Sequence, residues 1–307
     1  MSLIVADYGC EQLQEAIDSI DKNSTATTKI FIKPGTYTGQ TFITSGYQGK
    51  IIVYGYTTDD HNYAKNEVIL TNSLSSSQAG GNEKSGTLRV HSPNVSFYNL
   101  RIENTAGDAG PSHALSILAT KTAYYGCALT GYQDTMFGHD TDSVFKNSYI
   151  EGAVDFIYGG TNVNFWFEEC DIANNRAAGG YITASGRESN DQGWYVINNS
   201  RVIAKPGISV NPGSVWLGRP WRYYARAVFQ NSQLPDIIQL QGWHPWDKGD
   251  DLSNVYYGEF NNGGAGSNTN NRVSWAKQLE DAVSIDNTIP DWKGWVDQKY
   301  WNDVVWS

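Results

Sequence analysis

Phe145-Lys146-Asn147-Ser148-Tyr149-Ile150 decides the fold, because its pattern recurs five more times along the chain. Upstream lie Phe97-Tyr98-Asn99-Leu100-Arg101-Ile102 and Tyr124-Tyr125-Gly126-Cys127-Ala128-Leu129. Downstream follow Phe167-Glu168-Glu169-Cys170-Asp171-Ile172, Ile197-Asn198-Asn199-Ser200-Arg201-Val202 and Phe229-Gln230-Asn231-Ser232-Gln233-Leu234. Each segment opens on an apolar or aromatic residue, has a small or apolar one three places later, and an aliphatic one two places after that. The aliphatic column falls at 102, 129, 150, 172, 202 and 234, in steps of 27, 21, 22, 30 and 32. Alternating strands separated by Gly, Asn and Ser turns at this spacing predict an all-β parallel β-helix, a single-stranded solenoid. One coil cannot bury its apolar face alone, so the coils stack into one long core. A β-sandwich also has short alternating strands, but it does not predict the same residue classes at the same offset in every repeat.

The ends differ from the middle. Between Cys10 and Ile20, the residues Leu13, Ala16, Ile17 and Ile20 fall at helical spacing, which predicts an amphipathic N-terminal helix capping the open end of the solenoid. From Ser274 onward the chain is rich in tryptophan (275, 292, 295, 301 and 306), and this tail is expected to lie against the outside of the coil. No linker interrupts the pattern, so residues 1–307 are read as one domain.

Composition narrows the function. The net charge is −10, from 22 Lys and Arg against 32 Asp and Glu, which argues against a nucleic-acid partner, since that needs a basic face. No run approaches 18 apolar residues, so no membrane span is expected. The first seven residues are too short and too soon polar for a signal peptide; one removed before an artificial start at Met1 is compatible with a secreted protein. Sequons at Asn23, Asn94 and Asn198 permit glycosylation. Cys127 and Cys170 share a column with Ser148 between them. Two rungs at about 4.8 Å each put them roughly 10 Å apart, beyond the Cα separation of about 7 Å that a disulfide spans, so free buried thiols are expected.

The same columns locate the chemistry. Asp134 lies five residues after Leu129, and Asp155 five after Ile150. In-register stacking puts the two carboxylates on adjacent rungs, roughly 5 Å apart. Like charges that close push their pKa values apart, fitting one group as base or nucleophile and the other as proton donor.

Gly131-Tyr132-Gln133-Asp134-Thr135-Met136-Phe137, Asp155-Phe156-Ile157-Tyr158-Gly159 and Leu217-Gly218-Arg219-Pro220-Trp221 resemble the three main signatures of the pectin methylesterases (pectinesterases), in that family's order. Gly35-Thr36-Tyr37, the run from Ile182 to Arg187 and Gly242-Trp243 resemble its weaker blocks, so the similarity covers most of the chain. The resemblance implies a right-handed parallel β-helix that removes methyl esters from homogalacturonan. It implies Asp155 as nucleophile, Asp134 as general acid and then base, Gln133 as an oxyanion donor, Arg219 orienting Asp155, and Trp221 lining the sugar cleft. Tyr158 and Trp246 are further cleft candidates. Two positions depart from the family pattern. His113, in Gly110-Pro111-Ser112-His113-Ala114-Leu115, stands where many members carry a second oxyanion glutamine; an imidazole N–H can also donate. Gly39 stands where an early block carries Glu. The His-containing form is associated with fungal members.

The residue chemistry agrees with the resemblance. A carboxylate nucleophile splits ester hydrolysis into two easier steps and needs a partner that donates and then accepts a proton. No step requires a metal or other cofactor. A retaining glycosidase also uses two carboxylates about 5 Å apart, but pectin-cleaving hydrolases of this fold carry a denser Asp cluster and a Gly-His-Gly turn absent here. A lyase would want an acidic calcium site, for which Asp59-Asp60 and Asp250-Asp251 are the only adjacent acidic pairs of note. A carbohydrate-binding β-helix would gain nothing from two adjacent buried acids, which are costly. The expected partner is methylated homogalacturonan, acted on by an extracellular monomer. A −10 protein is also expected to favour neutral, highly esterified substrate over its own anionic product, with salt raising activity on poorly esterified pectin.

Overall fold

The computed structural model describes residues 2–5 and 12–303. Its strands form three parallel sheets, one of eleven strands and two of seven. Seven successive coils contribute one strand to each sheet in turn, and Ser2–Val5, Arg226–Gln230, Tyr256–Phe260 and Lys277–Gln278 join the long sheet alone. Thr122–Tyr125 joins the long sheet, Ala128–Thr130 the second, and Met136–Gly138 the third, before Thr141–Lys146 returns to the long sheet one rung on. This is the parallel β-helix expected from the repeats.

The register matches the aliphatic column. Leu129 pairs with Ile102 on one side and Ile150 on the other, and Ile150 with Ile172, which pairs in turn with Val202. All are buried. Inside the coil the first residues of the repeats stack as a file of rings: Phe97–Tyr124 at 5.2 Å, Tyr124–Phe145 at 4.7 Å and Phe145–Phe167 at 4.8 Å. The third residue of each repeat turns the corner between sheets in the left-handed region, with φ of +54° at Asn99, +57° at Gly126, +50° at Asn147 and +52° at Glu169. Asn and Gly tolerate that conformation best, which explains their recurrence there.

Helix α1, Leu13–Asp18, buries Leu13, Ala16 and Ile17. The Gln14 side chain accepts the Phe42 N–H and donates to the Phe42 carbonyl. It thereby pins the helix to Thr41–Ile43, the end strand of the third sheet. This supplies the cap that an exposed sheet edge needs. Cys10 lies outside the described residues.

The tail divides in two. Val283, Ile285, Ile289, Trp292, Trp295, Val296, Tyr300 and Trp301 pack on the outer face of the long sheet, against Tyr54, Tyr98, Tyr125, Val144, Trp166 and Val196. Trp275 behaves differently from the expectation: it packs against the main core beside Tyr257, where Lys277–Gln278 adds the last strand. Trp306 lies outside the described residues. The covered outer face explains why strands such as Val95–Tyr98 and Thr122–Tyr125 are buried along their whole length. Cys127 and Cys170 are free and buried, and burial pushes the Cys127 thiol up to about 12. Asn198 is buried with its amide donating to Glu168 and its carbonyl accepting from Gln230, so a glycan has no room there. Among the described residues, no helix is long and apolar enough to cross a membrane.

Candidate active site

Asp134 and Asp155 each sit two residues ahead of a strand of the third sheet, Met136–Gly138 and Ile157–Gly159. These strands pair with Met136 opposite Ile157. A bridge between Gln133 and Val154 carries the pairing back through the turn, with the Asp134 N–H donating to the Val154 carbonyl at 3.0 Å. The two aspartates are therefore opposite each other on adjacent rungs. Both adopt the left-handed conformation, at φ +61° and +50°, which Asp tolerates better than most residues. One turn geometry, repeated in two successive coils, presents both carboxyls.

Both are almost completely enclosed, Asp134 at 7% and Asp155 at 4% exposure. Burial raises Asp134 well above the usual carboxylate range, and the neighbouring Asp155 charge raises it further. Burial also raises Asp155, but there Arg219 works in the opposite direction. Its Nε donates to Oδ1 at 2.9 Å and its Nη2 to Oδ2 at 2.6 Å, a bidentate pair. The proton shared by the pair thus belongs on Asp134 and the charge on Asp155.

Arg219 lies in the strand Val215–Pro220, in register with Ala184 and, one rung back, Tyr158. Its guanidinium lies between two rings, 4.1 Å from the centroid of Tyr181 and 4.1 Å from that of Trp246. Trp246, expected from sequence in the sugar cleft, therefore also positions the guanidinium. Tyr181 was not singled out from sequence. Its signal was its place in the run just before Ile182-Thr183-Ala184, but nothing in one linear chain pairs it with Arg219. Trp221 is half-buried, 5.9 Å edge-on from Tyr158, with the Arg222 guanidinium 4.6 Å from its ring. A cavity of about 500 Å³ opens between Trp221 and Trp246.

His113 and Tyr158 stand differently from their expectations. His113 is fully buried and burial pulls its pKa down to about 3, so the ring is neutral. One ring nitrogen meets the Tyr158 hydroxyl at 2.6 Å and the other the Ser116 hydroxyl at 3.1 Å. Both nitrogens are thus committed inside the protein, leaving no ring N–H for a ligand in this arrangement. Tyr158 is 4% exposed and stands behind Phe137 and Trp221, supporting the cleft from within. Gln133 is half-buried next to Asp134, and its backbone carbonyl accepts the Ser112 N–H. Of the acidic pairs considered for calcium, Asp59 and Asp60 are exposed and lie with His61 close enough for one ligand atom of each to fall within 4.8 Å, remote in sequence from the aspartate pair. Asp250 and Asp251 belong to the cavity beside Trp246.

A buried acid beside a carboxylate clamped by arginine, on the outer face of a stack of coils, is the equipment of a β-helical hydrolase of the aspartate-pair class. The chain belongs to the pectinesterase family, whose profile matches residues 2–287. A protein named "Probable pectinesterase A" from Neosartorya fischeri is 41% identical over 287 residues, covering 93% of this chain and 85% of that relative. The crystal structure of a pectin methylesterase from Aspergillus niger superposes with a TM-score of 0.90 at 39% identity, covering 97% of this chain and 96% of the other. The pectin methylesterase from carrot superposes with a TM-score of 0.86 at 28% identity, covering 99% and 96%.

Proposed function

We propose that the chain, acting as a single extracellular domain, removes methyl esters from pectin through an acyl-enzyme on Asp155. The observation that carries this reading is the division of labour between the two aspartates, one protonated by burial and one kept charged by Arg219.

An Asp155 oxygen attacks the C6 carbonyl carbon of a methylated galacturonate, and the carbonyl π electrons move to oxygen. The Gln133 side-chain amide donates to that oxyanion, a contribution of roughly 3–4 kcal/mol in comparable sites. The tetrahedral centre collapses, the bond to the methoxy oxygen breaks, and Asp134 gives its proton to the leaving methanol. An anhydride between Asp155 and the sugar remains. Asp134, now a carboxylate, takes a proton from a water that attacks the same carbonyl carbon. The bond to Asp155 breaks, freeing galacturonic acid and restoring the Asp155 carboxylate beside a protonated Asp134. The sum is one water consumed and one methanol released per ester. Trp221 and Trp246 offer ring faces to the sugar, while His113 holds Tyr158 as the rigid backing of that wall. No step calls on a metal.

Methanol release from highly methylated pectin tests this, with wild type beside Asp155→Asn. Asparagine keeps the left-handed turn but is a far poorer nucleophile. The expected loss is at least about 10⁴-fold in kcat, with no fall in polymer viscosity for either protein. Chain scission by wild type without methanol would replace the esterase with a hydrolase or lyase.

A further inference from the structure

Beside the aspartate pair, Ser116 Oγ, the His113 ring and the Tyr158 hydroxyl form a hydrogen-bonded chain. Ser116 and His113 are fully buried. Phe137 stacks on the imidazole at 5.6 Å and meets the phenol at 5.1 Å, holding both rings in place. His113 is neutral, because burial pulls its pKa down to about 3. The ring therefore carries a single N–H, on Nδ1 or on Nε2.

The neighbours decide which. Among the described residues, His113 Nδ1 is the one hydrogen-bond partner of Ser116 Oγ, at 3.1 Å. With the hydrogen on Nδ1, the Ser116 O–H becomes a buried donor without an acceptor, which is costly. With the hydrogen on Nε2, Ser116 donates to Nδ1, and Nε2–H donates to the phenol oxygen at 2.6 Å. The Asn82 side-chain amide donates to the same oxygen. Both lone pairs of that oxygen are then filled, and every group in the chain is satisfied except the Tyr158 O–H, which has no acceptor among the described residues.

That hydroxyl lies close to the reacting groups. The charges of Asp134 and Asp155 both act on it. Tyr158 is 4% exposed, no more enclosed than Asp155. It shares an outward row of the third sheet with Arg219, with Ala184 alone between them. Burial, and after it the Asp134 charge, holds the hydroxyl well above the usual phenol range, so it donates a hydrogen bond without surrendering its proton.

We propose that the Tyr158 O–H is a second donor to the ester carbonyl oxygen, beside the Gln133 amide, and that Ser116 and His113 aim it by keeping the phenol oxygen an acceptor. The proposal rests on the esterase reading. The carbonyl supplies the acceptor that the protein does not. As Asp155 adds to the carbonyl carbon, charge grows on that oxygen, and the bond strengthens toward the transition state. The hydroxyl keeps its hydrogen throughout, so the proton exchange among Asp134, methanol and water is unchanged.

The tautomer is tested on wild type by long-range proton–nitrogen NMR correlation, with the His113 ring signals assigned by their loss in His113→Gln. A hydrogen on Nε2 is expected; a hydrogen on Nδ1 overturns the proposal without any change to the hydroxyl. The donor is tested by methanol release from highly methylated pectin, wild type beside Tyr158→Phe, which keeps the ring and its packing. The expected result is a kcat lowered about 10²–10³-fold with KM within about threefold of wild type. A kcat within about twofold of wild type, or a loss carried by KM alone, leaves the hydroxyl a packing group and overturns the donor role. Thermal melting of the same sample ties a lowered kcat to folded protein, and the tautomer measurement decides the matter where the variant does not fold. Absence of methanol with wild type overturns the esterase reading and the donor with it, whereas methanol released equally well by Tyr158→Phe overturns the donor alone.

Discussion

Burying Asp134 beside Asp155 works against the fold at neutral pH. In the unfolded chain an aspartate titrates near 3.9, whereas in the fold burial and Asp155 hold the Asp134 proton well above that. Below pH 4 both states keep the proton and nothing is lost. As pH rises, the unfolded chain releases its proton first, so stability falls until the folded group also ionises. Asp134→Asn removes the titration and keeps a residue at ease at φ +61°. It is expected to melt higher than wild type at pH 7, with the gap closing below about pH 4, while esterase activity collapses. Melting temperatures measured across pH check this, and a variant less stable at pH 7 would mean the carboxyl is not strained. The pair itself was legible because the Leu129 and Ile150 columns fix an offset that the turn simply inherits. The partners of His113 and the two rings that flank Arg219 were not legible. Tyr158 comes from two rungs beyond His113, and Tyr181 and Trp246 reach Arg219 from different stretches of chain.

At the scale of the element, the corner of each coil matters more than its strands. The repeated Asn or Gly could be read as a turn marker, but its left-handed backbone and what it faces could not. Gly126 shows both demands at once. Its φ is +57°, and a Cβ there would lie 2.7 Å from the Asn99 amide nitrogen, 2.9 Å from the Tyr300 hydroxyl and 3.1 Å from the Asp60 carbonyl. Gly126→Ala is expected to cost about 2 kcal/mol or more, counting roughly 1–2 for the backbone alone, measured by denaturant unfolding. Gly39, where the family pattern has Glu, has open space around it but a φ of +124°, so a side chain there meets backbone strain without the clash that Gly126 adds. Trp275 was misplaced with the other tail tryptophans because composition alone does not reveal where a chain stops coiling and starts lying flat.

Across the whole molecule, the face that carries the aspartate pair and the covered face are different sheets. The aspartates and Arg219 stand on the third sheet, whereas the tail from Val283 lies on the long one. Trp292 is 5% exposed within that covered layer. Trp292→Ala is accordingly expected to cost about 3–5 kcal/mol while leaving kcat for methanol release unchanged wherever the protein remains folded. Thermal unfolding and an activity assay on the same sample separate the two effects.

The tail also touches rungs as distant in the chain as Ile52 and Val196, and the Tyr98 hydroxyl donates to Asp297 while Tyr125 accepts its N–H. Such a strap has nothing to seat on until those rungs already stand side by side. A chain emerging from the ribosome in N-to-C order therefore builds its coils with Tyr54, Tyr98 and Tyr125 bare to solvent, and covers them only when the segment from Val283 to Trp301 arrives. The hazardous moment in the life of this protein is the interval between completing the stack and receiving the strap, and its length is set by the pace of translation.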